Sequence, residues 1–127
     1  MFPRYVAFGA LYALAGVALG AFGAHGLEAH VEPDRLEIFE TGVRYQMYHA
    51  IGLILLAFAA SKLGDRRPLR LAGRLMQAGI WIFSGSLYVL VLSGVTWLGA
   101  ITPIGGVCFI AAWGIAAWSA WRARGEG

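Results

Sequence analysis

The chain has 127 residues, of which 59% are hydrophobic and 13% charged, with a formal net charge of +3. Soluble domains carry about 25% charged residues, and a fold this small has too little interior to hide so much apolar surface from water, so the bilayer is the solvent that fits. The basic residues stand at the ends of apolar runs rather than in a patch, which argues against a nucleic-acid partner, and the single cysteine, Cys108, excludes an internal disulfide and CxxC-type redox or zinc chemistry.

The first apolar run covers about 5–27. It follows Arg4 and is too long for the apolar core of a signal peptide, so it reads as a first membrane helix. Gly9, Ala13, Gly16, Gly20 and Ala24 descend it at spacings of three and four, and the run closes on GAFGAHGLEAH with Gly23, His25 and Gly26. In lipid, helices associate by close packing, and small residues let a partner backbone approach. Gly16, Gly20, Gly23 and Gly26 are therefore read as packing positions. They serve one bundle first and a seam between copies, hence a homo-oligomer, second.

An acidic segment follows. Glu32-Pro33-Asp34 is a helix-start signature, and Leu36, Phe39 and Val43 recur on one face. A short external amphipathic helix is expected over about 33–43, lying at the interface or running on into the next span, with Gly42 as the bend. The second span is about 45–63, the third about 75–97 and the fourth about 102–121, opened by Thr102-Pro103 as cap and first-turn proline. Each run is close to the roughly 20 residues that cross about 30 Å of hydrocarbon. Backbone groups in lipid must pair within their own segment, so all four are helices. The expected fold is an all-α membrane protein, a single domain over 1–127 with four transmembrane helices in a compact glycine-rich bundle.

Charge sets the orientation. Arg4, Lys62, Arg66, Arg67, Arg70, Arg74, Arg122 and Arg124 fall on the side of the termini, against Arg35 and Arg44 on the other. By the positive-inside rule both termini face the cytoplasm.

The second span opens with RYQMYHA, residues 44–50. Tyr45, Gln46 and His49 share a face at spacings of three and four, and His25 belongs to the same half of the membrane. At 1.5 Å per residue, His49 lies about 20 Å above Lys62 and His25 about 31 Å above Arg4, so the rings meet only through tilt, a register shift or a bridging group. Intramembrane histidines mark functional sites by default, yet a neutral imidazole also serves as interhelical glue. Both readings of an outward polar pocket of His25, Tyr45, Gln46 and His49 stay open.

The segments GAFGAHGL (20–27) and ETGVRYQMYHAIGLILLA (40–57), with the four-span layout, resemble the YgdD-like small membrane proteins, catalogued as domain-of-unknown-function family 423 and including a eukaryotic small transmembrane branch. The resemblance covers nearly the whole chain. It implies a small bacterial inner-membrane protein and no particular activity. Its signature positions map to Gly20, Gly23, His25, Gly26, Tyr45, Gln46 and His49.

A non-catalytic membrane scaffold or interaction protein is the expected function. The alternative is an oligomeric transporter or channel for a small solute or protons, although no span carries a buried acid. A haem or metal held by His25 and His49 comes third, opposed by their difference in depth. No cofactor and no enzymatic activity are expected, because no Ser–His–acid set or metal cluster is evident.

Overall fold

The computed structural model describes residues 2–123, and Arg124, counted above among the basic residues of the tail, lies outside them. Four long helices run up and down: α1 (Phe2–Leu27), α2 (Pro33–Leu63), α3 (Arg67–Ser93) and α4 (Thr102–Ala123). No strand occurs among the described residues. Helices α2 and α3 form the centre, and α1 and α4 flank them.

The α1–α2 contact is a ladder of glycines. Gly9 abuts Ala50 and Ile54, Gly16 abuts Met47, Gly20 abuts Val43 and Gly23 abuts Phe39. The rising and falling numbers define an antiparallel pair with its backbones close together. Three of the four expected packing glycines act this way. Gly26 does not, since a Cβ placed there meets nothing within 4 Å. It lies beyond the π-helical turn Leu19–Gly23, in the last turn of α1.

Of the two arrangements expected for 33–43, the structure takes the second: the segment runs on into the span as one helix, α2. Its 31 residues run unbroken from Pro33 to Leu63, started by extended Glu32 and Pro33 and stopped at Gly64, whose φ is +93°. Gly42 is no bend. It is buried, and the Tyr88 ring sits where its side chain would be. Phe39 explains the continuity: it is 2% exposed and packs with Leu90 and Val91, and Val43 and Leu19 close around them. The apolar stripe of 33–43 is therefore part of the bundle core. At 1.5 Å per residue α2 is about 46 Å long, some 16 Å more than the hydrocarbon core needs.

The third helix spans 67–93 rather than 75–97. It begins at Arg67-Pro68 and ends at Gly94, which takes a left-handed φ of +75°. Leu69, Ala72, Gly73 and Met76 recur at helical spacing and are buried, so the first two turns belong to the helix although Arg70 and Arg74 lie between. Asp65 pairs with Arg70 at 3.5 Å across this start. Trp97 falls in a 3-10 turn, Thr96–Ala100, ahead of α4. Helix α4 starts at Thr102 as expected and runs two residues past the predicted end.

Leu56, Ala60, Leu69, Ala72, Met76 and Ala112 make one core cluster towards the end that carries Phe2 and Ala123. The outer faces are apolar too: Leu14, Phe22, Trp81, Leu92 and Ile110 are each at least two-thirds exposed. Exposed apolar surface of that extent is lipid-facing.

Candidate functional site

The polar side chains of α2 meet the other helices in a narrow layer. His49 is 5% exposed. Its ring lies flat on Phe109 of α4, with centroids 3.5 Å apart and planes 8° apart. The Trp113 indole N–H donates to His49 Nε2 at 3.0 Å. An Nε2 that accepts leaves the ring proton on Nδ1, and Nδ1 is 2.7 Å from the Tyr45 carbonyl one turn back. The two contacts agree on one neutral tautomer and occupy both nitrogens.

Glycines admit these rings. Phe109 fills the space where a Gly79 side chain would be, and a Cβ on Gly52 would lie 2.9 Å from Trp113. The sequence Phe109…Trp113 at i, i+4 thus enters slots that α2 and α3 leave open.

Gln46, one turn nearer Pro33, ties the opposite flank. Its Nε2 donates to the Tyr12 carbonyl of α1 at 2.8 Å, and the Tyr88 hydroxyl of α3 donates to its Oε1 at 2.7 Å. The Tyr12 hydroxyl donates to Gln77 Oε1 and receives the Trp81 indole N–H, both at 3.1 Å. The buried Ser84 hydroxyl reaches the Gly42 carbonyl at 2.6 Å, and Ser86 and Thr102 share a 2.6 Å hydrogen bond between α3 and α4. Ser84 closes the second π-helical turn, Ile80–Ser84. Every helix is stitched to another through this layer.

The four residues expected to share a pocket divide. Gln46 and His49 are in the layer. Tyr45 contributes its carbonyl and a ring set against Phe83, with centroids 4.5 Å apart, and stays partly exposed. His25 does not join them. It is exposed and borders a separate hollow with Gly20, Glu28, Leu36 and Glu40. An apolar crevice of about 290 Å³ between α1 and α3 reaches Gln46 through Leu11, Tyr12, Trp81 and Tyr88, and His25, Tyr45 and His49 do not line it. Among the described residues, no group of three or more His, Cys, Asp or Glu is placed to hold a metal.

Tyr12, Tyr88, Phe109 and Trp113 take part without having been singled out from sequence. Their signal was present. Each is an aromatic deep inside an apolar run rather than at its edge, where headgroup anchors belong.

Residues 19–106 match the family model described as "Protein of unknown function (DUF423)". The chain is 52% identical over 109 residues to the UPF0382 membrane protein YwdK of Bacillus subtilis, covering 86% of this chain and 89% of that one. It is 44% identical over 109 residues to the UPF0382 membrane protein SH2409 of Staphylococcus haemolyticus, covering 86% and 88%. It is 40% identical over 121 residues to a UPF0382 membrane protein of Haemophilus influenzae, covering 95% and 96%. No solved structure matches. With four apolar helices long enough to cross a bilayer and relatives of this kind over most of its length, the chain is an integral membrane protein and belongs to the DUF423 family.

Proposed function

We propose that the protein is a non-catalytic scaffold or interaction protein of the bacterial inner membrane, with both termini in the cytoplasm. One observation carries this reading: both polar atoms of Gln46 and both ring nitrogens of His49 are engaged by neighbouring groups of the bundle. A transport path or an active site needs polar groups that can face water or substrate, and His49 is sandwiched in the core. The molecule presents outward an apolar face and, on α2, acidic first turns that exceed the span. Those are surfaces for lipid and for a protein partner. The orientation follows from Arg4, Lys62, Arg66, Arg67, Arg70, Arg74 and Arg122 at one end of the bundle.

Reconstitution tests this. The full chain in vesicles loaded with a pH-sensitive dye is expected to give proton and small-ion flux no greater than empty vesicles. Flux that disappears in Gln46→Leu or His49→Phe would replace the scaffold with a conduit.

A further inference from the structure

Helix α1 packs along α2 and reaches α3 through two tyrosines. The Tyr5 hydroxyl donates to the Arg70 carbonyl at 3.3 Å, and its ring takes the place of a Gly73 side chain. The Tyr12 hydroxyl donates to Gln77 Oε1 and accepts the Trp81 indole N–H. A groove runs between the two helices on either side of this Tyr12 bridge. At the end that carries Phe2 it opens into a hollow of about 390 Å³ whose accessible walls are mostly polar, with Arg4 of α1 and Arg70, Arg74 and Gln77 of α3 among them. Beyond the bridge it becomes the crevice of about 290 Å³, whose walls are almost wholly apolar. Along α3 the lining residues Arg70, Arg74, Gln77, Trp81, Gly85 and Tyr88 recur every three or four positions, so one helix face borders both. Arg4, Phe8, Leu11, Ala15 and Leu19 do the same on α1.

Charge and space divide along this groove. Arg70 is paired with Asp65 at 3.5 Å. Arg4 and Arg74 are exposed and form no ion pair among the described residues, so the hollow keeps uncompensated positive charge. Gln77 gives its carboxamide oxygen to Tyr12, and its Nε2 has no hydrogen-bond partner among the described residues. The crevice adjoins both π-helical turns: Leu19 opens one, and Ile80 and Trp81 open the other. Such turns are rare and concentrate at functional sites. Gly85 lies on the crevice wall, and a Cβ built there meets nothing within 4 Å. At Gly9, Gly16, Gly73 and Gly79 another residue occupies that space, and at Gly85 none of the described residues does. Gly85 stands 11 residues beyond Arg74, about 16 Å along the axis, which is the depth of one leaflet of a roughly 30 Å core.

We propose that the α1–α3 groove binds one anionic phospholipid, with its phosphate among Arg4, Arg74 and the Gln77 amide and one acyl chain lying in the crevice against Gly85. Basic pockets between membrane helices hold anionic headgroups at this depth, and guanidinium groups make charge-assisted hydrogen bonds to phosphate oxygens. The order of chemistry along the groove, cationic at the helix ends and apolar one leaflet deep, matches that of the lipid. It selects the lipid over a soluble phosphate compound, which has nothing to place in the crevice.

Native mass spectrometry of the full chain in detergent tests the site with three additions. These are dioleoylphosphatidylglycerol, dioleoylphosphatidylcholine with the same chains and no net charge, and glycerol phosphate with the charge and no chains. The expected result is one retained phosphatidylglycerol per chain and little of the other two. Retention is expected to weaken about tenfold when Arg4→Gln is combined with Arg74→Gln, and about tenfold in Gly85→Leu, which fills the crevice. Two controls are expected to bind as the natural chain does: Arg67→Gln at the start of α3, and Gly114→Leu, whose added side chain also meets open space but on α4. Unfolding temperatures confirm that each variant is folded. Equal retention of the two lipids, glycerol phosphate held as tightly as phosphatidylglycerol, no effect of the arginine pair or of Gly85→Leu in a folded variant, or an equal loss in the controls overturns the proposal. A two-chain species without lipid that Gly85→Leu splits puts a second copy in the groove and overturns it as well.

Discussion

The indole N–H of Trp113 on α4 donates to Nε2 of His49 on α2 at 3.0 Å. The lone pair that a metal or haem iron would take is therefore already used. Removing the donor leaves a buried acceptor unpaired, which costs about 1–3 kcal/mol. Trp113→Phe is expected to lower stability by that amount in detergent unfolding, whereas Trp97→Phe, in the exposed turn before α4, changes it by less than about 0.5 kcal/mol.

Gln46 and Tyr88 join α2 to α3. Hydrogen bonds between membrane helices average about 0.6 kcal/mol and reach about 1.7. A double-mutant cycle of Gln46→Leu and Tyr88→Phe is expected to give a coupling in that range, measured by reversible unfolding. A coupling of zero means that the side chains find other partners.

The glycines separate by what stands opposite them. A side chain at Gly73 runs into Tyr5, and one at Gly79 into Phe109. Gly73→Ala and Gly79→Ala are each expected to cost about 1–3 kcal/mol through overpacking. Gly26→Ala and Gly85→Ala meet open space and are expected to leave stability unchanged or slightly improved, since alanine suits a helix better than glycine. Melting temperatures of the four variants check the order.

Of the three histidines, His25 and His49 differ in the same way. His25→Ala removes an exposed ring and is expected to be neutral, while His49→Ala empties a buried stack on Phe109 and frees the Trp113 N–H. A loss of about 2–4 kcal/mol is expected for His49→Ala alone.

Hydropathy made the number of spans legible, and Thr102-Pro103 marked the start of α4 to the residue. The true start of α3 was hidden because Arg70 and Arg74 lower the local hydropathy, while Leu69, Ala72 and Met76 keep a helical period that a search for uncharged runs passes over. Gly42 reads as a bend because glycine weakens a helix. Its use here, making room for Tyr88, depends on a residue 46 positions away. In the site, the spacing of Gln46 and His49 identified two members of the polar layer. Their partners on α1, α3 and α4 follow from lateral packing, which no local pattern encodes. The depth difference between His25 and His49 was visible in the residue count, and the structure keeps the two apart.

Membrane orientation has a direct check. With Cys108 replaced by alanine, a cysteine at position 65 is expected to react with an impermeant thiol reagent only after the membrane is opened, and one at position 30 from outside in intact cells. The reverse pattern inverts the bundle.

The role of His49 as a structural acceptor is best tested by nitrogen NMR of the histidine-labelled chain in lipid nanodiscs. The expected spectrum shows His49 as the Nδ1–H tautomer, with Nε2 bonded to the Trp113 indole and the signal unmoved by added zinc or haem. An Nε2–H tautomer, or a His49 signal that shifts on adding either, would contradict the scaffold reading and make the ring a ligand site.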